Sequence, residues 1–371
     1  MIKSMSNRFL ITGLSIIYLI KILSINFTNF DLFGDEAQYW LWSKDLDLGY
    51  FSKPPFLAWS ISLYTSIFGD GFVALKIFPS IVYFLTAWAI YDLSKNIGID
   101  KSGSVSCSLI FLFIPAVSFS SFIISTDIIL LLFWTLALNE LVKIKSTAHS
   151  RNFIFLGIFL GLGLLSKYAA VYFIICLLIY VLIDEEFRGI FFKNYTGFLK
   201  SFVCILIIMF PNIVWNLGND WITLQHTSDN ANLDNVKISL TRGFVFLSIQ
   251  VFMLGPFLFI GNLANFKSIN FNKNYKLLLV FSVPIFFIVF VEAVIVRANA
   301  NWAAPALIPL FLFLFANLKN GIFKKLNIIF NFCFCVIFFV LIGFSYNSNI
   351  FNRVSGLDSF SKKLYFERLD K

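Results

Sequence analysis

Runs of about 20 apolar residues, each closed by a polar break, recur along this 371-residue chain and decide most of what it can become. A helix of that length crosses a hydrocarbon core about 30 Å thick with its own backbone hydrogen bonds made, which an open strand cannot do. Composition agrees: 59% of residues are hydrophobic and only 13% charged. Soluble domains run near 25% charged, so a soluble enzyme is excluded. The pattern predicts an all-α integral membrane protein with about eleven transmembrane helices. They are expected near residues 9–25, 72–93, 103–119, 126–142, 153–165, 169–183, 198–215, 243–263, 277–295, 303–316 and 323–344. Short connections make the third and fourth spans, and the fifth and sixth, antiparallel neighbours. Residues 1–345 read as one transmembrane domain and 346–371 as a short polar tail. The first run lacks a small-residue cleavage pattern and is expected to stay as a helix.

The net charge of +9 does not point to nucleic acid, because the Lys and Arg are spread over short connections rather than gathered on a soluble face. They act as topology signals. With the N-terminus inside, the inner connections hold Lys3, Arg8, Lys95, Lys101, Lys143, Lys145, Arg151, Arg188, Lys193, Lys200, Lys267, Lys273, Lys276, Lys319, Lys324 and Lys325. The outer ones hold only Lys44, Lys53, Lys167, Lys237, Arg242 and Arg297, although the basic tail would also lie outside. Cys107, Cys176, Cys204, Cys333 and Cys335 all lie in apolar runs, which suits small hydrophobes rather than a disulfide framework.

The first outer connection, residues 26–71, is large and is expected to carry short interfacial helices. Its stretch GDEAQYWLWSKDLDLGYFSKPPFLAW crowds acids, lysines, Trp and Tyr at the bilayer surface. Asp35 beside aromatic platforms at Tyr39 and Trp40 suits a general base acting on a sugar hydroxyl. Asp35 with Gln38 three residues on also reads as a helix cap. Lys53 precedes Pro54 and Pro55, which fix its direction and suit a point charge for phosphate, or else it is an interfacial lysine whose stem lies in lipid.

Asp127 opens the fourth span on the same outer side, where an ionisable group is costly unless used; Ser125-Thr126-Asp127 is equally a helix-start cluster. Lys167 stands at the tight turn after the Gly157, Gly161 and Gly163 series, whose small residues allow close helix approach. Arg297 lies in the last outer connection. Lys53, Lys167 and Arg297 are expected to converge on Asp35 as an anion site. Glu36, Tyr39, Trp40 and His226 are candidate contacts to sugar or acceptor. A single loop His can be a metal ligand or proton carrier but is more often neither.

DEAQYW, GYFSKPPFLAW, STD, GLGLLSKYA, FPNIVWNLGNDW and NWAAPA follow one another in an order that resembles the polyprenyl-phosphate-sugar glycosyltransferases of the membrane-embedded C superfamily. The most similar branch holds the protein O-mannosyltransferases and the aminoarabinose transferase of lipid A. The resemblance covers about residues 35–305. It implies that Asp35 is the catalytic carboxylate, with Asp127 a further acid of the same cavity. It implies that Lys53 and Tyr50 contact the lipid phosphate, aided by Lys167 and Arg297. Ser52 stands where the lipid A branch often has an acid, so a metal site using that acid is not supported and no cofactor is expected.

The implied activity is inverting transfer of a sugar from a polyprenyl-phosphate donor to a lipid or glycan acceptor, at the outer face of a bacterial inner membrane. Lipid A is the first expectation for the acceptor, and surface polysaccharide or protein the alternative. A lipid or solute transporter is the competing class. It would call for ionisable residues deep in broken helices and a repeated topology.

Overall fold

The computed structural model describes residues 7–28, 30–231, 236–318 and 321–344. The tail at 346–371 lies outside the described residues. Among the described residues every regular element is helical. α1 (Asn7–Phe27) is followed by two short helices, α2 (Gly34–Trp42) and α3 (Phe56–Phe68), and then by α4 (Phe72–Asn96). Next come α5 (Lys101–Phe111), α6 (Pro115–Ser120), α7 (Thr126–Thr147), α8 (Ser150–Ser166) and α9 (Val171–Ile183). α10 (Glu185–Lys193), α11 (Tyr195–Gly218), α12 (Ile222–Ala231), α13 (Leu240–Leu254) and α14 (Pro256–Ala264) continue the chain. It closes with α15 (Lys273–Val280), α16 (Val283–Ile295), α17 (Ala304–Asn317) and α18 (Gly321–Gly343).

Among the described residues six segments are long and apolar enough to cross a bilayer: α1, α4, α11, the run 274–295, the run 300–317 and α18. Counting each sharply bent pair as one span raises this to eight. The protein is therefore a multi-pass membrane protein. Its outward faces agree, since Leu206, Ile207 and Phe210 of α11 and Leu178 and Leu182 of α9 are exposed.

Several expected spans differ in form. The third is broken at 112–114, where Pro115 begins a new helix without an amide to donate. The eighth bends by 94° where Gly255, at φ 96°, meets Pro256. α7 is 22 residues long but carries Asp127, Glu140, Lys143 and Lys145. The expected antiparallel packing of spans five and six is replaced: α8 packs chiefly on α7 and α11. Glycine explains the choice, because a Cβ on Gly157 would lie 2.4 Å from the Ser201 carbonyl oxygen and one on Gly161 would lie 2.9 Å from Ile208.

Among the described residues, Lys21 and Lys76 are the two lysines buried within these long apolar helices. Lys21 of α1 is buried and donates to Ser80 Oγ, to the Ser121 carbonyl at 2.6 Å and to Ser121 Oγ at 3.1 Å. Lys76 of α4 pairs with Glu36 at 2.5 Å, both wholly buried. Neither lysine stands out in sequence, because a single charge hardly alters a long apolar run; the saturated partners make each tolerable.

Candidate active site

The segment between α2 and α3 is held as a rigid turn. Tyr50 stacks on Trp42 with centroids 4.4 Å apart, and its hydroxyl accepts from the Asp47 amide at 3.1 Å while facing the Trp42 and Asp45 carbonyls at 3.0 and 3.1 Å. The hydroxyl thus helps to hold the turn, and the Tyr50 amide donates to the Lys53 carbonyl at 3.1 Å. The FPNIVWNLGNDW stretch at the end of α11 grips the same turn. Asn212 donates to the Leu48 carbonyl at 2.8 Å, and Trp215 Nε1 to Asp47 Oδ2 at 2.7 Å. Gly49 is required there, since a Cβ would fall 2.3 Å from the Trp215 ring. Thr223 of α12 adds a bond to the Tyr50 carbonyl at 2.7 Å.

Asp35 lies in the first turn of α2, exposed, with no side-chain hydrogen bond or ion pair among the described residues. It does not cap the helix with Gln38: the cap residue is Phe33, whose amide donates to Glu36 Oε2 at 2.9 Å. Beside Asp35 the space is open, since a Cβ on Gly34 would meet nothing within 4 Å. Asp127 occupies the matching position in the first turn of α7, where the helix dipole favours a carboxylate. Lys167 Nζ reaches Asp127 Oδ1 at 2.6 Å, and Asn301 Nδ2 reaches Oδ2 at 2.8 Å.

Lys53 is partly buried and makes no ion pair among the described residues. Burial lowers its pKa, the charge of Lys167 lowers it further, and Asp35 and Asp127 oppose both. Tyr39, buried in α2, is pushed up by burial and then by the same two carboxylates. Lys53 and Tyr39 thus report one electrostatic neighbourhood that contains Asp35, Asp127 and Lys167.

Arg297 is exposed and makes no ion pair among the described residues; the connection that carries it supplies Asn301 to Asp127, from the 3-10 turn Ala300–Ala303. Arg242 and Gln250 of α13 fix that connection, Arg242 by bonding the Val296 carbonyl and the Val294 carbonyl at 3.2 Å, Gln250 by bonding the Ala300 carbonyl at 3.0 Å. Glu36 is wholly buried and saturated, which removes it from the expected sugar or acceptor contacts. The Trp40 ring lies under Lys44, 5.3 Å from its centroid, and His226 packs against Phe51 at 5.0 Å. Among the described residues no three His, Cys, Asp or Glu side chains gather as metal ligands. A cavity of about 460 Å³ lies not here but between α1, α4 and α5, lined mainly by aliphatic residues with Lys21 and Ser80.

Residues 52–215 match the family of dolichyl-phosphate-mannose-protein mannosyltransferases. The lipid A galacturonosyltransferase RgtD of Rhizobium johnstonii is 30% identical over 295 residues, 77% of this chain and 60% of that protein. The crystal structure of ArnT from Cupriavidus metallidurans bound to undecaprenyl phosphate superposes with a TM-score of 0.64 at 15% identity, over 85% of this chain and 61% of the other. The chain is thus similar to membrane glycosyltransferases and shares its fold with ArnT. The fold is also shared with the oligosaccharyltransferase AglB of Archaeoglobus fulgidus, at a TM-score of 0.53 and 13% identity over 89% of this chain and 54% of AglB. The core lipopolysaccharide galacturonosyltransferase RgtA of R. johnstonii is 28% identical over 187 residues, 50% of this chain and 37% of RgtA. The chain thus spans about 60% of RgtD and a smaller share of RgtA.

Proposed function

We propose that this protein is a membrane glycosyltransferase of the C superfamily that moves a sugar from a polyprenyl-phosphate carrier to lipid A at the outer face of the bacterial inner membrane. The observation that carries the reading is that exposed Asp35 and partly buried Lys53, neither with an ion pair among the described residues, lie within electrostatic reach of each other. RgtD supports lipid A as acceptor and galacturonic acid as the sugar, and ArnT supports undecaprenyl phosphate as the carrier. The excess of Lys and Arg in the connections expected inside supports α2 and the first turn of α7 lying on the outer side.

In this reading the acceptor hydroxyl gives its proton to Asp35 as its oxygen bonds the anomeric carbon. The bond from that carbon to the phosphate oxygen breaks on the opposite face, so configuration inverts. Charge grows on the leaving polyprenyl phosphate, and Lys53 stabilises it. Lys167 adds positive potential while holding Asp127, so two fixed cations supply the stabilisation that a divalent metal gives in soluble nucleotide-sugar enzymes. Transfer is therefore expected to persist in a chelator.

The test is transfer of galacturonic acid from its polyprenyl phosphate to purified lipid A in detergent, read by mass spectrometry. Product formation supports the reading, and an intact donor after incubation with wild-type protein rejects it. The bent pairs α9–α10 and α13–α14, at 111° and 94°, favour a second reading as a lipid or solute transporter. That activity would need a sealed vesicle, whereas transfer runs in detergent.

A further inference from the structure

Glu36 is a short step from Asp35 in sequence, yet it is built into the protein interior as a junction of three segments. Its Oε2 accepts from the Phe33 amide at 2.9 Å and from Lys76 Nζ at 2.5 Å, and its Oε1 accepts from the Ile124 amide at 2.8 Å. Phe33 is the residue that starts α2, Lys76 belongs to α4, and Ile124 lies just ahead of α7. One carboxylate therefore ties Phe33, two residues before Asp35, to the turn that delivers Asp127.

The cation is enclosed by the same segments. Lys76 Nζ stands 4.5 Å from the Phe122 centroid, 5.5 Å from Phe72 and 5.8 Å from Phe33. Those ring faces take the place of water around the ammonium. Stability alone does not account for such a pair, because replacing a buried ion pair by packed apolar residues is often neutral or favourable. What an ion pair adds is direction: fixed hydrogen bonds from three segments to one group.

Resting on the transferase reading above, we infer that the buried Glu36–Lys76 pair is a positioning device that sets Asp35 against Asp127. α2 is only nine residues long, too short to hold its own place. Both carboxylates stand within three residues of an anchor on Glu36. Releasing that anchor lets them drift relative to each other, and displacements near 1 Å cost rate steeply.

The experiment compares Glu36→Gln, Lys76→Met and the double variant, which buries no net charge and serves where a single variant folds poorly. Rates are measured with polyprenyl-phosphate galacturonic acid and lipid A, and expressed per folded protein. Each single variant is expected to lose at least about tenfold in kcat with KM within about twofold, and the double variant to be no slower than the slower single. A wild-type kcat in the folded fraction of both singles would reduce the pair to a stabilising role and overturn the inference. So would a loss confined to Glu36→Gln with raised acceptor KM, since Glu36 would then touch substrate.

A second readout needs no turnover. Spin labels at Leu41→Cys and Phe119→Cys, both exposed positions, are placed in a background with Cys204→Ser and Cys333→Ser. One narrow distance is expected in the otherwise native protein and a broadened or shifted one in Lys76→Met and Glu36→Gln; an unchanged narrow distance in both contradicts the inference. If wild-type protein transfers no sugar, the transferase reading fails, and the label distances still decide whether the pair positions α2.

Discussion

Asp35 and Glu36 adjoin in the chain, yet Asp35 is exposed with no side-chain partner among the described residues, whereas Glu36 is wholly buried and accepts from Lys76 and two backbone amides. An α-helix turns about 100° per residue, so the first turn of α2 aims one acid at open space and the other at the core. Lysines divide in the same way. Lys76 is saturated among aromatic rings, while Lys53, in the turn before α3, has no ion partner among the described residues. Reactivity is assigned to the pair left unsatisfied, Asp35 and Lys53, and shape to the pair that is closed.

Breaking the open pair is expected to have the largest effect. Asp35→Asn should insert normally yet lose about 10²- to 10⁴-fold in transfer, the range that a general base contributes. The assay is product formation on lipid A with membrane level checked by immunoblot. Lys53→Ala should mainly weaken the donor, raising its KM by at least about tenfold, as expected when a charge-assisted phosphate contact is lost.

Lys53 also sets a pH limb. Its ammonium favours phosphate, and burial with Lys167 lowers its pKa, so affinity is full at lower pH and is lost as pH rises through that lowered value. Undecaprenyl phosphate binding should therefore fall at lower pH than for an ordinary lysine near about 10.4, and Lys53→Arg should move the fall upward. Binding titrations across alkaline pH check this.

Smaller effects sharpen the contrast. Gly49→Ala drives a Cβ into the Trp215 ring and should destabilise by about 1–3 kcal/mol, seen as a lowered thermal transition in detergent. Arg297→Ala removes an exposed side chain with no ion pair among the described residues and should change transfer by no more than about twofold. A large loss there would place Arg297 at the site.

What could be read from sequence follows from how local each signal is. The apolar runs and the Asp35, Lys53, Asp127 and Lys167 motifs are local, and the fold brings those four into one neighbourhood. Glu36 could not be separated from Asp35, because burial of one acid in a short helix depends on where α4 places Lys76. The part Tyr50 plays in the turn was equally hidden, since its stack on Trp42 and its bond to the Trp42 carbonyl reach back eight residues. Asn301 was passed over because an amide in NWAAPA looks ordinary until it stands 2.8 Å from Asp127. Arg297 stands out in sequence by its charge, and whether an exposed arginine just after α16 serves the site is not a local property. The helix breaks at Pro115 and Gly255 had local signals that a search for long apolar runs smooths over.

The central claim is that the Asp35–Lys53 neighbourhood cleaves a sugar–phosphate bond rather than moving an intact lipid. The most direct measurement follows polyprenyl-phosphate galacturonic acid with lipid A and purified protein in detergent, counting free polyprenyl phosphate against modified lipid A. Equal amounts of the two, appearing together with inverted anomeric configuration and absent with Asp35→Asn, are the predicted result. An uncleaved donor with wild-type protein, or equal release by Asp35→Asn, would contradict the account.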